Sequence, residues 1–184
     1  MTSPLRPAVF FDRDGVLNEE IGYLHRVEDL RWTKGALRAV RAMNAADFLV
    51  FVVTNQAGVA HGFYEEADIR KLHFRMKTDL ENAGARVDAF YHCCWHPNAK
   101  VEAWRHPDHP DRKPNPGMLL QAMRDWPVDR KRCFLIGDRD TDIEAAKRAG
   151  MPGYKFAGGD LYEFVEQSRV EAQALWEAAR RAEP

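Results

Sequence analysis

Four short polar segments of this sequence contain the residue types needed to transfer a phosphoryl group. They supply carboxylates, a hydroxyl and a lysine, and each follows an apolar run or precedes a helical pattern. In chain order they are Asp12-Arg13-Asp14-Gly15-Val16-Leu17-Asn18, Thr54-Asn55-Gln56, Arg112-Lys113-Pro114 and Gly137-Asp138-Arg139-Asp140-Thr141-Asp142. Hard divalent cations such as Mg²⁺ bind oxygen ligands, so the carboxylates predict a magnesium site that also receives a phosphate.

The residue types predict a role for each chemical group. Asp12 and Asp138, with the backbone carbonyl of Asp14, are predicted to hold the Mg²⁺ ion. Asp12 is the predicted nucleophile, which would form an acyl phosphate. Asp14 is predicted to protonate the leaving oxygen and then to deprotonate the attacking water. Thr54 and Lys113 are predicted to bind the non-bridging phosphoryl oxygens, where positioning and charge stabilisation assist the transfer.

Each segment has a structural alternative when it is considered alone. Asp-Gly after a strand is common in turns, Thr54-Asn55 suits a helix N-cap, and Lys113 before a proline suits a plain surface position. The four segments occur in order, each at a predicted strand end or helix start. Their combination favours the catalytic interpretation.

Apolar runs alternate with amphipathic stretches in the elements that must position these segments. The pattern predicts strands at 8–11, 48–53, 87–91, 133–136 and 153–157, and helices near 36–43, 69–83, 116–123, 143–149 and from about 160. This alternation predicts an α/β doubly wound parallel sheet, in which ligands bind beyond the carboxyl ends of the strands. We expect one domain over residues 1–184, with a loop insertion at 93–113 and no separate cap domain.

Composition excludes several classes of partner. Lysine and arginine number 27 against 28 acids, giving a net charge of -1, so we expect neither nucleic acid nor a membrane as partner. The apolar run 48–53 is too short to span a bilayer. Cys93, Cys94 and Cys133 are an odd number of cysteines and do not indicate a disulfide framework. We expect a cytoplasmic monomer.

The four segments resemble the motifs of the haloacid dehalogenase (HAD) superfamily of phosphohydrolases. The similar positions are Asp12 to Gly15 for the nucleophile motif, Thr54-Asn55 for the second, Lys113 for the third, and Gly137-Asp138 with Asp142 for the fourth. The resemblance extends from Phe10 to Ala157. It implies a HAD-like Rossmannoid fold and Mg²⁺-dependent hydrolysis through an aspartyl phosphate.

The residues within and around these motifs resemble one branch that lacks a cap domain, the D-glycero-D-manno-heptose-1,7-bisphosphate 7-phosphatases. The similar stretches are Asp12 to Asn18, Gly22-Tyr23, Val53 to Val59 and Arg112 to Met118. This branch implies a small phosphorylated sugar as substrate, cleaved at the 7-phosphate towards lipopolysaccharide or an S-layer glycan. Histidinol-phosphate phosphatases share many of these residues. The alternative is therefore a histidinol-phosphate phosphatase or another small sugar-phosphate phosphatase.

The resemblance also implies a set of substrate contacts. They are Glu20, Ile21, Gly22, Tyr23, Thr54, Asn55, Gln56, Ala57, Arg112, Lys113 and Arg139. Arg139 stands where these enzymes have a lysine, which keeps the charge but changes its reach. A bisphosphate needs additional cations, and Arg13, Arg26, Arg105, Arg112 and Arg139 are the arginines predicted to supply them. These arginines favour a bisphosphate over histidinol phosphate, whose imidazole and amine would suit an acidic or aromatic pocket.

The chain departs from both relatives in a zinc-binding loop, Cys-x-His followed by Cys-x-Cys before Arg-Lys-Pro. The corresponding positions here are Cys93, Trp95, His109 and Asp111. Tryptophan cannot bind zinc, so we expect zinc to be absent and the loop to be held by Trp95, Trp104 and prolines. An improvised site is the alternative, because His109 and Asp111 are chemically possible zinc ligands and Cys94, His96 and His106 lie nearby.

A receiver-like phospho-accepting module is the alternative from a different class. Such domains accept phosphate on an aspartate at the third strand, whereas here that strand leads into Tyr91-His92-Cys93. The order of residues therefore argues against it. Two histidines have no assigned chemistry: His61 is either a phosphate contact or a loop residue, and His73 is expected to be structural or exposed.

Overall fold

Five parallel strands form a single sheet in the computed structural model, which describes residues 4–182. The strands are β1 (Arg6–Phe11), β2 (Leu49–Asn55), β3 (Ala89–Cys93), β4 (Val128–Gly137) and β5 (Gly153–Lys155). Their order across the sheet is β3-β2-β1-β4-β5. The helices are α1 (Ala36–Ala45), α2 (Ala57–Ala60), α3 (Glu66–Asn82), α4 (Gly117–Asp125), α5 (Asp140–Arg148) and α6 (Leu161–Ala182), with single 3-10 turns at Val27–Asp29 and Glu102–Trp104.

Both faces of the sheet are buried because successive apolar residues of each strand point to opposite sides. Val9 and Phe11 of β1 pack with residues of α1, α3 and α6. Ala8 and Phe10 pack on the other face with residues of α4 and α5. The α/β doubly wound, HAD-like fold predicted from the sequence is therefore confirmed.

The central strand β1 pairs in parallel with both β2 and β4. Phe11, the last residue of β1, lies opposite Val52 on one side and Ile136 on the other, so β2 extends three residues and β4 one residue beyond the end of β1. After β1 the chain forms β2 and β3 on one side of it and then crosses back to form β4 and β5 on the other side. The connections diverge at β1, which opens a crevice at this sheet edge. Residues that directly follow these strands therefore converge.

The third strand begins two residues later than the pattern indicates. Val87 is buried, as an apolar strand residue would be, but the ladder starts at Ala89. Asp88 donates its backbone N–H to the Val50 carbonyl, while the Asp88 side chain accepts the N–H of Val50. A carboxylate thus replaces a carbonyl at this point, so regular pairing begins one residue further on.

Helix α6 packs along the sheet through an aromatic contact. The ring centroid of Trp176 lies 6.4 Å from that of Phe48 and 6.3 Å from that of Phe134. The buried residues of α6 include Leu161, Val165 and Ala172. Among residues 4–182, no helix combines the length and the apolar character required to cross a membrane.

Replacing Phe134 by alanine should lower the free energy of unfolding by about 3–5 kcal/mol, because the ring is fully buried and a cavity would remain. Urea unfolding measures the change. Val170→Ala, on an exposed position of α6, is the control and should alter stability by no more than about 0.5 kcal/mol. A loss for Phe134→Ala no larger than that of the control would contradict the assigned packing.

Candidate active site

A buried lysine lies at the centre of the crevice. Its ammonium nitrogen Nζ lies 2.9 Å from Oδ1 of Asp12 and 2.6 Å from Oδ1 of Asp142. It also donates to the carbonyl of Val53 at 2.8 Å. The ends of β1 and β2, the start of α5 and the segment before α4 therefore meet at Lys113, which is 3% exposed.

The position of Lys113 is set by its backbone as well as its charge. The side-chain amide of Asn55 accepts the N–H of Lys113 at 3.1 Å and donates to its carbonyl at 3.0 Å. Asn55 is the last residue of β2, so the strand end fixes a segment 58 residues away in sequence. Asn55 thus positions the lysine while it also lines the cleft.

Acidic groups are crowded around this lysine. Burial, reinforced by the charges of Asp142 and Asp14 and opposed by Lys113, raises the pKa of Asp12 to about 7. Burial and the charge of Asp142 also raise the pKa of Asp138. Burial alone would lower the pKa of Lys113, but Asp12 and Asp142 outweigh it and raise that pKa. The cluster therefore has more negative charge than its single lysine balances.

Asp12, Asp138 and Asp142 each offer an oxygen, and these three oxygens lie within 4.8 Å of one another. Asp142 is already engaged by Lys113 and accepts the N–H of Arg139 at 3.0 Å. Oδ1 of Asp138 and Oδ1 of Asp142 are both buried without a hydrogen-bond partner among residues 4–182, but only the Asp142 oxygen has the Lys113 ammonium beside it. An unpaired buried carboxylate oxygen beside an acidic neighbour suits Mg²⁺, which prefers carboxylate ligands.

Two glycines allow the acids to approach this closely. A Cβ atom at Gly15, whose φ is +81°, would overlap the side chain of Asp138. A Cβ atom at Gly137 would overlap the side chain of Asp142. Both glycines lie in the predicted motifs, and their lack of a side chain is a requirement of the cluster.

The carboxylate of Asp14 is held beside the cluster by three amide and guanidinium groups. Arg13 donates to both of its oxygens, at 3.1 and 2.9 Å. Asn18 donates to Oδ1 and Gln56 donates to Oδ2, each at 2.9 Å. The Tyr64 hydroxyl donates to the side-chain oxygen Oε1 of Gln56 at 2.8 Å, which orients the side-chain amide of Gln56.

Thr54 is 1% exposed and belongs to the same network. Its Oγ1 accepts a hydrogen bond from Gln56 at 2.9 Å. A hydroxyl that accepts from an amide keeps its own O–H free to donate. Because Thr54 lines the cleft, that O–H is available to a phosphoryl oxygen.

These groups open into a cleft of about 690 Å³. It is lined by Asp12, Asp14, Glu20, Gly22, Tyr23, Thr54, Asn55, Gln56, Ala57, His61, Tyr64, His96, Arg112, Lys113, Arg139, Asp140, Thr141 and Asp142. Eight of the nine substrate contacts assigned by resemblance alone are in this lining. Ile21 is not, since its side chain is half exposed outside the cleft.

Three of the five arginines expected to meet a second phosphate lie elsewhere. Arg13 is fully buried against Asp14, Arg26 pairs with Glu28 at the surface, and Arg105 donates to the Ala99 carbonyl. Only Arg112 and Arg139 line the cleft. Charge alone could not reveal this, because partner contacts decide where an arginine points.

Arg139 already contacts another predicted substrate residue. Its Nη2 lies 2.8 Å from Oε2 of Glu20, and both side chains are partly exposed. Such an exposed pair contributes about 0–1 kcal/mol, so a substrate anion can displace it at small cost. The same ion pair connects the segment after β1 to the start of α5.

Sequence analysis missed several residues of the site. Asp142 had been quoted only as part of the fourth motif, although Asp142 belongs to the carboxylate cluster. His61, considered as either a phosphate contact or a loop residue, lines the cleft, and so do His96 and Tyr64, which were not predicted to do so. The signal for His61 was its position four residues after the predicted contact Ala57.

Aromatic contacts pack the segment from residue 93 to residue 113. The rings of Trp95 and His109 stack with centroids 5.1 Å apart and an interplanar angle of 6°. Trp104 meets Trp95 edge-on at 5.3 Å. The Cys93 sulfur lies 3.9 Å from Nδ1 of His109, and burial raises the pKa of this thiol to about 11. The absence of zinc from this loop stays a prediction.

Known proteins are similar to this chain over most of its length. The HAD-hydrolase-like family profile matches residues 111–161. A D-glycero-beta-D-manno-heptose-1,7-bisphosphate 7-phosphatase of Rhodopseudomonas palustris is 46% identical over 173 residues, which cover 94% of this chain and 95% of that protein. A D-glycero-D-manno-heptose-1,7-bisphosphate 7-phosphatase of Thermosynechococcus vestitus is 43% identical, over 80% of this chain and 77% of that protein.

The fold is also similar to solved structures. A HAD-like phosphatase of Mesorhizobium loti superposes with a TM-score of 0.80 at 35% identity, over 85% of this chain and 75% of the other. A D,D-heptose 1,7-bisphosphate phosphatase of B. bronchiseptica, complexed with magnesium and phosphate, gives 0.74 at 27% identity, over 90% and 99%. With close relatives matched along nearly their whole length, this chain belongs to the HAD-like phosphatases, in the D-glycero-D-manno-heptose-1,7-bisphosphate 7-phosphatase family.

Proposed function

We propose that this protein is a Mg²⁺-dependent phosphomonoesterase that removes the 7-phosphate of D-glycero-D-manno-heptose 1,7-bisphosphate through an aspartyl phosphate on Asp12. The observation that carries the proposal is the cluster of Asp12, Asp138 and Asp142, two of which pair with the buried ammonium of Lys113, with Asp14 held beside them. The named activities of relatives up to 46% identical support the same reaction and substrate.

Asp12 performs the first displacement. Its carboxylate attacks phosphorus in line, an acyl–phosphate bond forms, and the bond from phosphorus to the sugar oxygen breaks. Lys113 and the O–H of Thr54 bind non-bridging oxygens and stabilise the charge that they carry in the transition state. When bound by Asp12, Asp138 and the Asp14 carbonyl, Mg²⁺ supplies further charge stabilisation and aligns the phosphate.

Asp14 moves the proton in both half-reactions. It donates a proton to the departing sugar oxygen, and the resulting carboxylate then accepts a proton from the water that hydrolyses the acyl phosphate. The second step releases inorganic phosphate and restores Asp12. The bonds from Arg13, Asn18 and Gln56 hold the Asp14 carboxylate in one orientation beside Asp12.

The second phosphate of the substrate needs positive charge away from Asp12. Arg112 donates Nη1 to the Trp95 carbonyl at 3.1 Å and lines the cleft, which places a guanidinium at the rim. Burial lowers the pKa of Arg112, but a guanidinium stays charged at neutral pH. Arg139 provides a second cation once a substrate anion displaces Glu20.

Asp12→Asn should reduce phosphate release in the presence of Mg²⁺ by at least about 10⁴-fold, because a carboxamide is a poor nucleophile. A colorimetric phosphate assay with heptose bisphosphate measures the rate. Circular dichroism checks that the variant is folded. Activity close to that of the wild type would disprove the aspartyl-phosphate mechanism.

Mg²⁺ should stabilise the wild-type protein but not Asp138→Asn. Binding of the free ion at 100 times its Kd would add about 2.7 kcal/mol to the free energy of unfolding, seen as a rise in Tm. Asp140→Asn is the matched control, since the Asp140 carboxylate is 92% exposed and pairs with Lys155. Equal Tm shifts in the two variants would contradict the assignment of Asp138 as a ligand.

Arg112→Ala should raise KM for heptose bisphosphate by about 10-fold or more while changing KM for a 7-monophosphate little, because only the bisphosphate loses a charge-assisted hydrogen bond. Arg26→Ala, at the surface, is the control with unchanged constants.

Parallel kcat/KM values on fructose 1,6-bisphosphate and histidinol phosphate complete the substrate test. We expect the heptose bisphosphate to be preferred over both. A clear preference for histidinol phosphate would overturn the heptose assignment while leaving the phosphatase mechanism intact.

A further inference from the structure

Arg13, which holds Asp14 in the proposed mechanism, is fully buried, so its own orientation must be fixed by the residues around it. A buried guanidinium is costly unless its N–H groups find acceptors. Nε and Nη2 donate to the two oxygens of Asp14, and Nη2 also donates to the Leu24 carbonyl at 2.9 Å. The remaining nitrogen, Nη1, lies 3.4 Å from Nε2 of His73. Four contacts with three residues thus define one orientation of the guanidinium.

We propose that Arg13 and His73 are positioning residues that fix the general acid Asp14, with His73 on α3 orienting the guanidinium that holds the carboxylate. This inference rests on the proposed function, because it concerns the acid–base group of that reaction. His73 touches neither substrate nor metal ligands in this role and acts only through Arg13.

The chemistry of the two side chains determines the direction of their contact. An arginine has only donors, so Nε2 of His73 must be the acceptor and the ring proton resides on Nδ1. The ring is therefore neutral. Burial, with the charge of Arg13 next, lowers the pKa of His73 well below its usual value, in agreement with this geometry.

The orientation of the imidazole is itself fixed. Its ring stacks on Phe90 of β3 with centroids 4.6 Å apart and an interplanar angle of 22°. His92 meets it edge-on at 5.6 Å and is in turn held by Glu66. The sheet and α3 together thus direct Nε2 towards Arg13.

Loss of the His73 acceptor would leave Nη1 of Arg13 without a partner in a buried site. The guanidinium would then rotate or bind a water molecule to satisfy that N–H. Its Nε and Nη2 groups would no longer be aligned with the two Asp14 oxygens. Small displacements of a catalytic group reduce rates strongly. The effect should fall on proton transfer rather than on substrate binding.

Leaving-group dependence separates this role from a structural one. A sugar alkoxide needs protonation to depart, whereas p-nitrophenolate departs without it. The experiment compares kcat/KM for heptose bisphosphate and p-nitrophenyl phosphate, since kcat/KM reports the steps up to departure of the leaving group. The variants are His73→Leu, which removes the acceptor, and His73→Gln, which keeps one.

We expect His73→Leu to lower kcat/KM for the heptose bisphosphate by about 10- to 100-fold and for the aryl phosphate by no more than about 3-fold. His73→Gln should recover most of the sugar-phosphate activity. Leu72→Ala is the matched control, because this neighbouring buried residue of α3 belongs to the apolar core and has no polar group to offer Arg13. It should lower Tm while leaving the ratio of the two kcat/KM values unchanged.

Equal losses on both substrates in His73→Leu, or no loss on either, would overturn the inference. If His73→Leu does not fold, Arg13→Lys replaces it, because a lysine cannot donate to both Asp14 oxygens and His73 together. Equal losses of kcat/KM on the two substrates in Arg13→Lys would likewise overturn the inference. Asp14→Asn tests the premise separately. Should that variant lose both activities equally, the general-acid role of Asp14 itself fails, whatever His73 does.

Discussion

The structure depends on one buried ammonium group shared between two carboxylates. Lys113 is almost completely inaccessible, and its Nζ has Asp12, Asp142 and the Val53 carbonyl as its only contacts among the described residues. A buried charge is tolerated only when its partners are in place, and loss of one partner leaves the rest uncompensated. The lysine therefore requires the ends of β1 and β2 and the start of α5 to be in register.

Charge balance explains why the same cluster suits phosphoryl transfer. Three carboxylates cluster beside one lysine that pairs with two of them, and Arg13 is paired with Asp14, so the cluster has a deficit of positive charge. Burial, reinforced by the charge of Asp142, raises the pKa of Asp12 and that of Asp138. A divalent cation at the unpaired Asp138 oxygen would correct the deficit and would also allow a phosphate dianion to approach Asp12. Stability and catalysis thus make the same demand.

Hydrophobic alternation and motif spacing were sufficient to predict the layered sheet and the convergence of Asp12, Lys113 and Asp138. They succeed because parallel strands end at a common edge, so a residue just after a strand is already located. These sequence patterns could not predict which residue each polar side chain contacts. Arg13 was predicted to face the substrate but is buried against Asp14, and His73, expected to be structural or exposed, is buried in contact with Arg13. Such contacts depend on packing between segments 60 residues apart in sequence.

The loop that departs from the zinc-binding pattern bears on specificity through a single hydrogen bond. Arg112 donates to the carbonyl of Trp95, and Trp95 is held in place by its stacking on His109 and its edge contact with Trp104. Aromatic contacts of this kind contribute about 0.5–1.5 kcal/mol each, far less than a structural zinc ion. Arg112, the cation assigned to the second phosphate, is therefore positioned by weak aromatic contacts. Asp12 and Lys113, which are assigned to phosphoryl transfer, are positioned by a buried ion pair. Substitutions in this loop should consequently alter the choice of substrate before they alter the chemistry at Asp12.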